Sequence, residues 1–158
     1  MSENKELPQG LCEWLNGRDL ESKSDTAMVL LTVTEDGWPH TAMISAGEVI
    51  ALDRSRLRLA LWPGTVTAGN MKRTGQATLV TVHDGAVHSI RLRVKALPDV
   101  EGARHPRQRF AADVVHVRED RAKYAEVLSG VTFRLHDPAE VLKRWSETIA
   151  ELREEEAR

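Results

Sequence analysis

The chain has 158 residues, with 22 basic and 24 acidic side chains for a net charge of −2, and a 41% apolar share. That length suits one domain, residues 1–158, with its own core. The near-neutral charge argues against a nucleic-acid partner, and the absence of a long apolar run argues against a membrane. The opening M-S-E-N-K-E-L carries no charged-then-apolar leader, so the expected location is the cytoplasm. Cys12, the one cysteine, can make neither an internal disulfide nor a zinc site unaided.

Leu7, Leu11 and Leu15 recur every four residues and predict a short N-terminal helix that stops at Asn16-Gly17. Ser22 to Asp25 is polar and reads as a linker. Ala27 to Thr34, Thr41 to Ser45 and Arg56 to Trp62 have strand composition, and in the last of these charge and leucine alternate with period two. Val66 to Thr74 can make two helical turns ended by Gly75. Ala77 to His83 and Ala86 to Ala96 flank Asp84-Gly85, a two-residue hairpin signal. Phe110 to Val117 suits a strand or a helix equally, because Phe110, Val114 and Val117 also share a helical face. Tyr124 to Leu135 reads as extended around Ser129-Gly130. Asp137-Pro138-Ala139-Glu140 is a helix start, with an N-cap carboxylate, proline at the first position and Glu at the third. Val141, Trp145, Ile149 and Leu152 then form one apolar stripe. The set predicts a mainly β protein, a small antiparallel barrel with peripheral helices.

No nucleophile elbow, phosphate-binding P-loop or dinucleotide fingerprint is present, and no catalytic acid, base or nucleophile stands out. His83 and His88 flank the hairpin turn but lack an evident third ligand, so no metal site is assigned. Arg54, Arg56 and Arg58 alternate on one strand, as do Arg91 and Arg93 on another. Such rows are either a wet sheet face or a face turned to an anionic ligand or a subunit interface.

The stretch D-G-W-P-H-T-A-M-I-S, then a strand, then P-G-T-V-T-A-G-N-M-K-R-T-G-Q-A-T-L, resembles the pyridoxamine 5′-phosphate oxidase-like FMN-binding split-barrel family. D-G-x-P-H leads into the second strand, and Asn70 to Leu79 matches the short helix that enters the fourth. The resemblance implies a six-stranded antiparallel split barrel with N- and C-terminal helices, the latter from about residue 138. It also implies a homodimer with FMN at the interface. Carried over by position, flavin contacts fall on Ala42, Met43, Ile44, Ser45 and Ala46, mostly through backbone groups. Further contacts fall on Ala60 and Leu61 with Trp62 beside them, on the phosphate turn and helix at Thr65, Val66, Thr67 and Asn70, and on Arg91. Where the family's oxidases place Arg-Lys against the phosphate, this chain has Val66-Thr67, with Lys72, Arg73 or Arg91 as candidate replacements. The residues that make pyridoxamine phosphate a substrate in that family also have no clear counterpart here, so pyridoxamine phosphate oxidation itself is not expected. The implied function is a flavin-dependent oxidoreductase of unspecified substrate. The alternative is a non-enzymatic dimer whose cleft is empty or holds haem or a deazaflavin.

Overall fold

The computed structural model describes residues 4–154. It opens with helix α1 (Gln9–Trp14) and a single 3-10 turn at Leu20–Lys23. Strands β1 (Thr26–Val33), β2 (Pro39–Ser45), β3 (Val49–Ala51) and β4 (Arg56–Leu61) follow, then helix α2 (Val66–Thr74). The chain continues through β5 (Gln76–His83), β6 (Ala86–Ala96), β7 (Gln108–Asp120), a two-residue β8 (Val131–Thr132) and helix α3 (Pro138–Glu154). The strands form one antiparallel sheet in the order β2-β1-β5-β6-β7-β4-β3, with β8 added to β1. Its two end strands, β2 and β3, are consecutive in sequence, so the sheet curls back on itself at Ala46 to Glu48. This is the predicted split-barrel architecture with eight strands in place of six. The two extra strands are too short to show a period of their own.

One face of the curled sheet is the core. Met28, Leu30, Leu57, Leu59, Leu79, Ile90, Leu92 and Phe110 meet there, with Ala68 and Met71 of α2. Leu7, Leu11 and Leu15 join the same cluster. Each buried leucine contributes about 1.5–3 kcal/mol through apolar surface removed from water. A smaller cluster forms on the other face of β3 and β4, where Ile149 and Leu152 of α3 cover Ile50 and Ala60.

One local reading is corrected and two are made definite. The expected linker at Ser22 to Asp25 contains part of the 3-10 turn. Lys23 there is buried, and its ammonium donates to Arg18 O at 2.6 Å and Asn16 Oδ1 at 3.3 Å. Burial lowers its pKa from the ordinary lysine value. The ambiguous Phe110 to Val117 is part of the long strand β7. A bulge lies opposite Arg91/Leu92, where Leu92 pairs with Val114 but Arg91 with His116. Val115 is the extra residue, so the buried parity passes from 110, 112 and 114 to 117 and imitates a helical stripe. Within Tyr124 to Leu135, only Val131–Thr132 joins the sheet.

The hairpin and both long helices follow the local chemistry. Asp84 and Gly85 both have positive φ, 51° and 74°, as a tight two-residue turn requires. Thr65 caps α2 by accepting the Ala68 N–H at 3.2 Å, and Gly75 ends it in the left-handed region. Asp137 Oδ1 accepts the Glu140 N–H at 3.3 Å at the start of α3.

Candidate functional site

The edge of β2 defines the site. Thr34 N donates to Trp38 O at 2.8 Å, and the β1–β2 register pairs Thr32 with His40 and Leu30 with Ala42. In an antiparallel ladder bonded pairs alternate. His40, Ala42 and Ile44 therefore bond to β1, while Thr41, Met43 and Ser45 turn their backbone N–H and C=O groups to the free edge. The Ser45 N–H fits this, donating to Glu48 Oε1 at 2.9 Å, and the Ser45 hydroxyl donates to the same oxygen at 2.8 Å. Glu48 O in turn accepts the Ala60 N–H at 2.9 Å. This corner bridges the end of β2 to β4. Beyond it the two strands share no ladder, and this gap in the pairing is the split of the barrel.

The sequence-predicted residues distribute around that split unevenly. Met43 is 61% exposed, Ala42 half-buried, and Ile44, Ser45 and Ala46 buried at the corner. Leu61 lies in the core and Ala60 under α3. Trp62 emerges from the end of β4, 52% exposed. Thr65 and Val66 are exposed at the head of α2, while Thr67 and Asn70 are buried along it. The N–H groups of Val66 and Thr67, in the first turn, have no acceptor within the helix. A Cβ on Gly64 or Gly69 would meet nothing within 4 Å, so this helix start is open to solvent.

Arg91 stands apart from the split. It lies on the outer face of β6, where it lines a groove of about 390 Å³ with Leu31, Val33, Pro39, Thr78, Arg93 and Val115. Of the three replacement cations, Arg73 is engaged within the fold. It donates to Asn70 Oδ1 at 3.1 Å and to the Val33 carbonyl. Lys72 lines a separate cleft of about 420 Å³ beside Pro63, Arg107 and Arg109.

The sequence reading missed Glu48, Arg107 and Arg144. Glu48 is largely buried, and that burial raises its pKa above the ordinary carboxylate value against the hydrogen bonds from Ser45 and the nearby arginines. Arg107 stacks on Trp62 with 3.8 Å between the guanidinium carbon and the ring centroid, and Arg144 of α3 lies at 5.6 Å. Gly47 lets α3 approach, because a Cβ there would come within 2.0 Å of the Trp145 ring. The only sequence signal was Trp62 itself. The His83 and His88 rings are 6.4 Å apart, with His88 Nε2 3.2 Å from the His83 carbonyl oxygen. Among the described residues no group of three or more His, Cys, Asp or Glu side chains could hold a metal. No described helix is long and apolar enough to cross a membrane.

No protein-family model matches the chain. It is 48% identical over 143 residues to the uncharacterized protein YclD of Bacillus subtilis, covering 90% of this chain and 93% of that one. In structure it is similar to a pyridoxamine 5′-phosphate oxidase candidate from Lactobacillus delbrueckii, with TM-score 0.58 and 16% identity over 75% of this chain and 99% of that one. It is also similar to a variant of HupZ from Group A Streptococcus, with TM-score 0.56 and 13% identity over 72% of this chain and 98% of that one. The chain belongs to the same family as YclD, and its fold is that of the pyridoxamine 5′-phosphate oxidase-like split barrels.

Proposed function

We propose that this chain binds FMN in the split between β2 and β4 and works as a homodimeric, cytoplasmic flavin-dependent oxidoreductase. The observation that carries the reading is the free β2 edge together with the open start of α2, a helix that packs against β1 and β2. Backbone N–H and C=O groups of Thr41 and Met43 match the alternating donors and acceptors on the polar rim of a flavin ring. The first turn of α2, through the Val66 and Thr67 N–H groups, offers neutral donors and the positive end of a helix dipole to a phosphate. The donor set therefore fits the group, with most of the charge for the phosphate still to be found elsewhere. Bound there, the flavin would supply electron transfer. This chain's residues would hold the ring edge, orient the tail and keep water from the core side of the ring.

The dimer is supported by the outer face of the sheet. Val33 and Val115 are exposed there in the Arg91 groove, and Met43 is exposed on the same face. A second copy is the occupant that would cover this face by two-fold closure, with Arg91 at the join. The test is the absorbance of the purified protein between 350 and 480 nm, about where flavins absorb, with mass analysis of the released ligand. FMN in the released fraction supports the reading. Haem or a deazaflavin there, or no ligand and no uptake of added FMN, overturns it.

A further inference from the structure

Two arginines from distant parts of the chain meet at one exposed indole. Arg107 precedes β7 and Arg144 lies on α3, and both guanidiniums approach the ring of Trp62. Neither forms an ion pair among the described residues. The nearby carboxylate of Glu48 is already accepting two hydrogen bonds from Ser45. Arg107 donates through Nη1 to Pro106 O at 2.9 Å, and no other protein acceptor meets it among the described residues. A guanidinium stacked on an indole uses its flat face and keeps its in-plane N–H edge for an oxyanion. The two like charges repel, Glu48 and Glu151 offset part of that repulsion at Arg107, and a bound oxyanion would offset more of it.

The position is also informative. The Trp62 carbonyl accepts the Thr65 hydroxyl at 3.3 Å, tying the indole's own residue to the cap of α2. Arg107 further lines the cleft it shares with Pro63 and Lys72. The cations therefore flank the turn that leads into the open helix start, where Val66 and Thr67 bring no charge.

We propose that Trp62, Arg107 and Arg144 form an anion subsite for a phosphate monoester, supplying from β7's approach and from α3 the charge missing at Val66-Thr67. The ligand's identity as FMN rests on the functional reading above; the subsite itself does not.

The experiment titrates FMN and riboflavin into the full-length protein and into Arg107→Gln, Arg144→Gln and the double variant, read by flavin fluorescence. Thermal melts with and without inorganic phosphate run in parallel. The expected result is a preference for FMN over riboflavin of about tenfold or more, reduced by each substitution and lost in the double variant while riboflavin affinity is unchanged. An FMN preference that survives in the double variant overturns the subsite and leaves the flavin reading standing. If neither flavin binds, the flavin reading fails and the phosphate arm decides the subsite. A melting temperature raised by phosphate in the parent but not in the double variant supports it with another phosphate ester as ligand. No response in the parent overturns it. Should the glutamine variants fold poorly, Arg107→Met and Arg144→Met keep the apolar stem's packing and remove the charged head. Weakened FMN binding with unchanged riboflavin binding is then the supporting result, and unchanged FMN binding the overturning one.

Discussion

Asn70 Nδ2 donates to Thr32 Oγ1 at 3.0 Å, a buried bond that joins α2 to β1 across 38 positions of sequence. The same Asn70 accepts from Arg73 through Oδ1 at 3.1 Å, so its amide is satisfied at both ends. This pair fixes the rotation of α2 about its axis, and with it the direction in which the open helix start faces.

Thr32→Val keeps the shape of that side chain and removes its acceptor. An amide N–H is then left in the core without a partner, at a cost of about 1–3 kcal/mol. Chemical denaturation should show that loss with an unchanged slope. Unchanged stability would mean that α2 is held by Ala68 and Met71 alone.

Gly47→Ala should be severely destabilising or should displace α3, because the new methyl would meet the Trp145 ring backed by the barrel wall. Combining it with Trp145→Ala should recover part of the loss. A double-mutant cycle with strictly additive losses would contradict the direct contact.

Asp137→Ala removes the carboxylate that caps α3 and should cost about 1 kcal/mol. The melting temperature reports it, and helix content by circular dichroism should fall only at that end. No change in either measurement would move the start of the helix away from Pro138.

Glu48 predicts a pH dependence with a definite sign. Burial raises its folded-state pKa above the ordinary value of 4.5, so the folded state holds this proton more tightly than the unfolded chain. Its contribution to stability is therefore greatest below that ordinary value and is lost as pH rises through the raised folded value. Glu48→Gln should keep an acceptor for Ser45 and gain stability relative to the parent as pH climbs through that window. Parallel stability curves for the two proteins between pH 4 and 8, a span of about 4 units around the carboxylate and histidine ranges, would contradict this.

Met43→Glu tests the proposed dimer. A charge on the exposed outer face should shift the protein toward monomer in light scattering, because burying an unpaired carboxylate at an interface is costly. A dimer unaffected by the change would place the interface elsewhere.

The fold was legible wherever a local rule sets it. Asp84-Gly85 fixed the β5–β6 hairpin, Gly75 the end of α2, and Asp137-Pro138 the start of α3. It was not legible where distant partners decide. Lys23 is buried because Asn16, Arg18 and the Trp14 ring gather around its ammonium. The character of β7 was hidden by its bulge, since one inserted residue converts period two into an apparent helical stripe. The site shows the same division. Val66 to Thr74, ended by Gly75, announces the short helix of the site from local chemistry, whereas Arg107 and Arg144 reach Trp62 only through tertiary folding and carry no pattern that links them. Arg91 carries an alternating pattern, but its parity and register in β6 put it on the outer face rather than in the split.

The seat that Gly47 leaves for Trp145 has a thermodynamic consequence. Arg144 lies one residue before Trp145 on α3, so it can stand beside Trp62 only while that helix is docked. Occupancy of the paired-arginine position and attachment of α3 are then two readings of one linked equilibrium. An anion bound there would hold the helix down, protecting its amides from hydrogen exchange. Any fraying of α3 would release the anion before the barrel itself had begun to open.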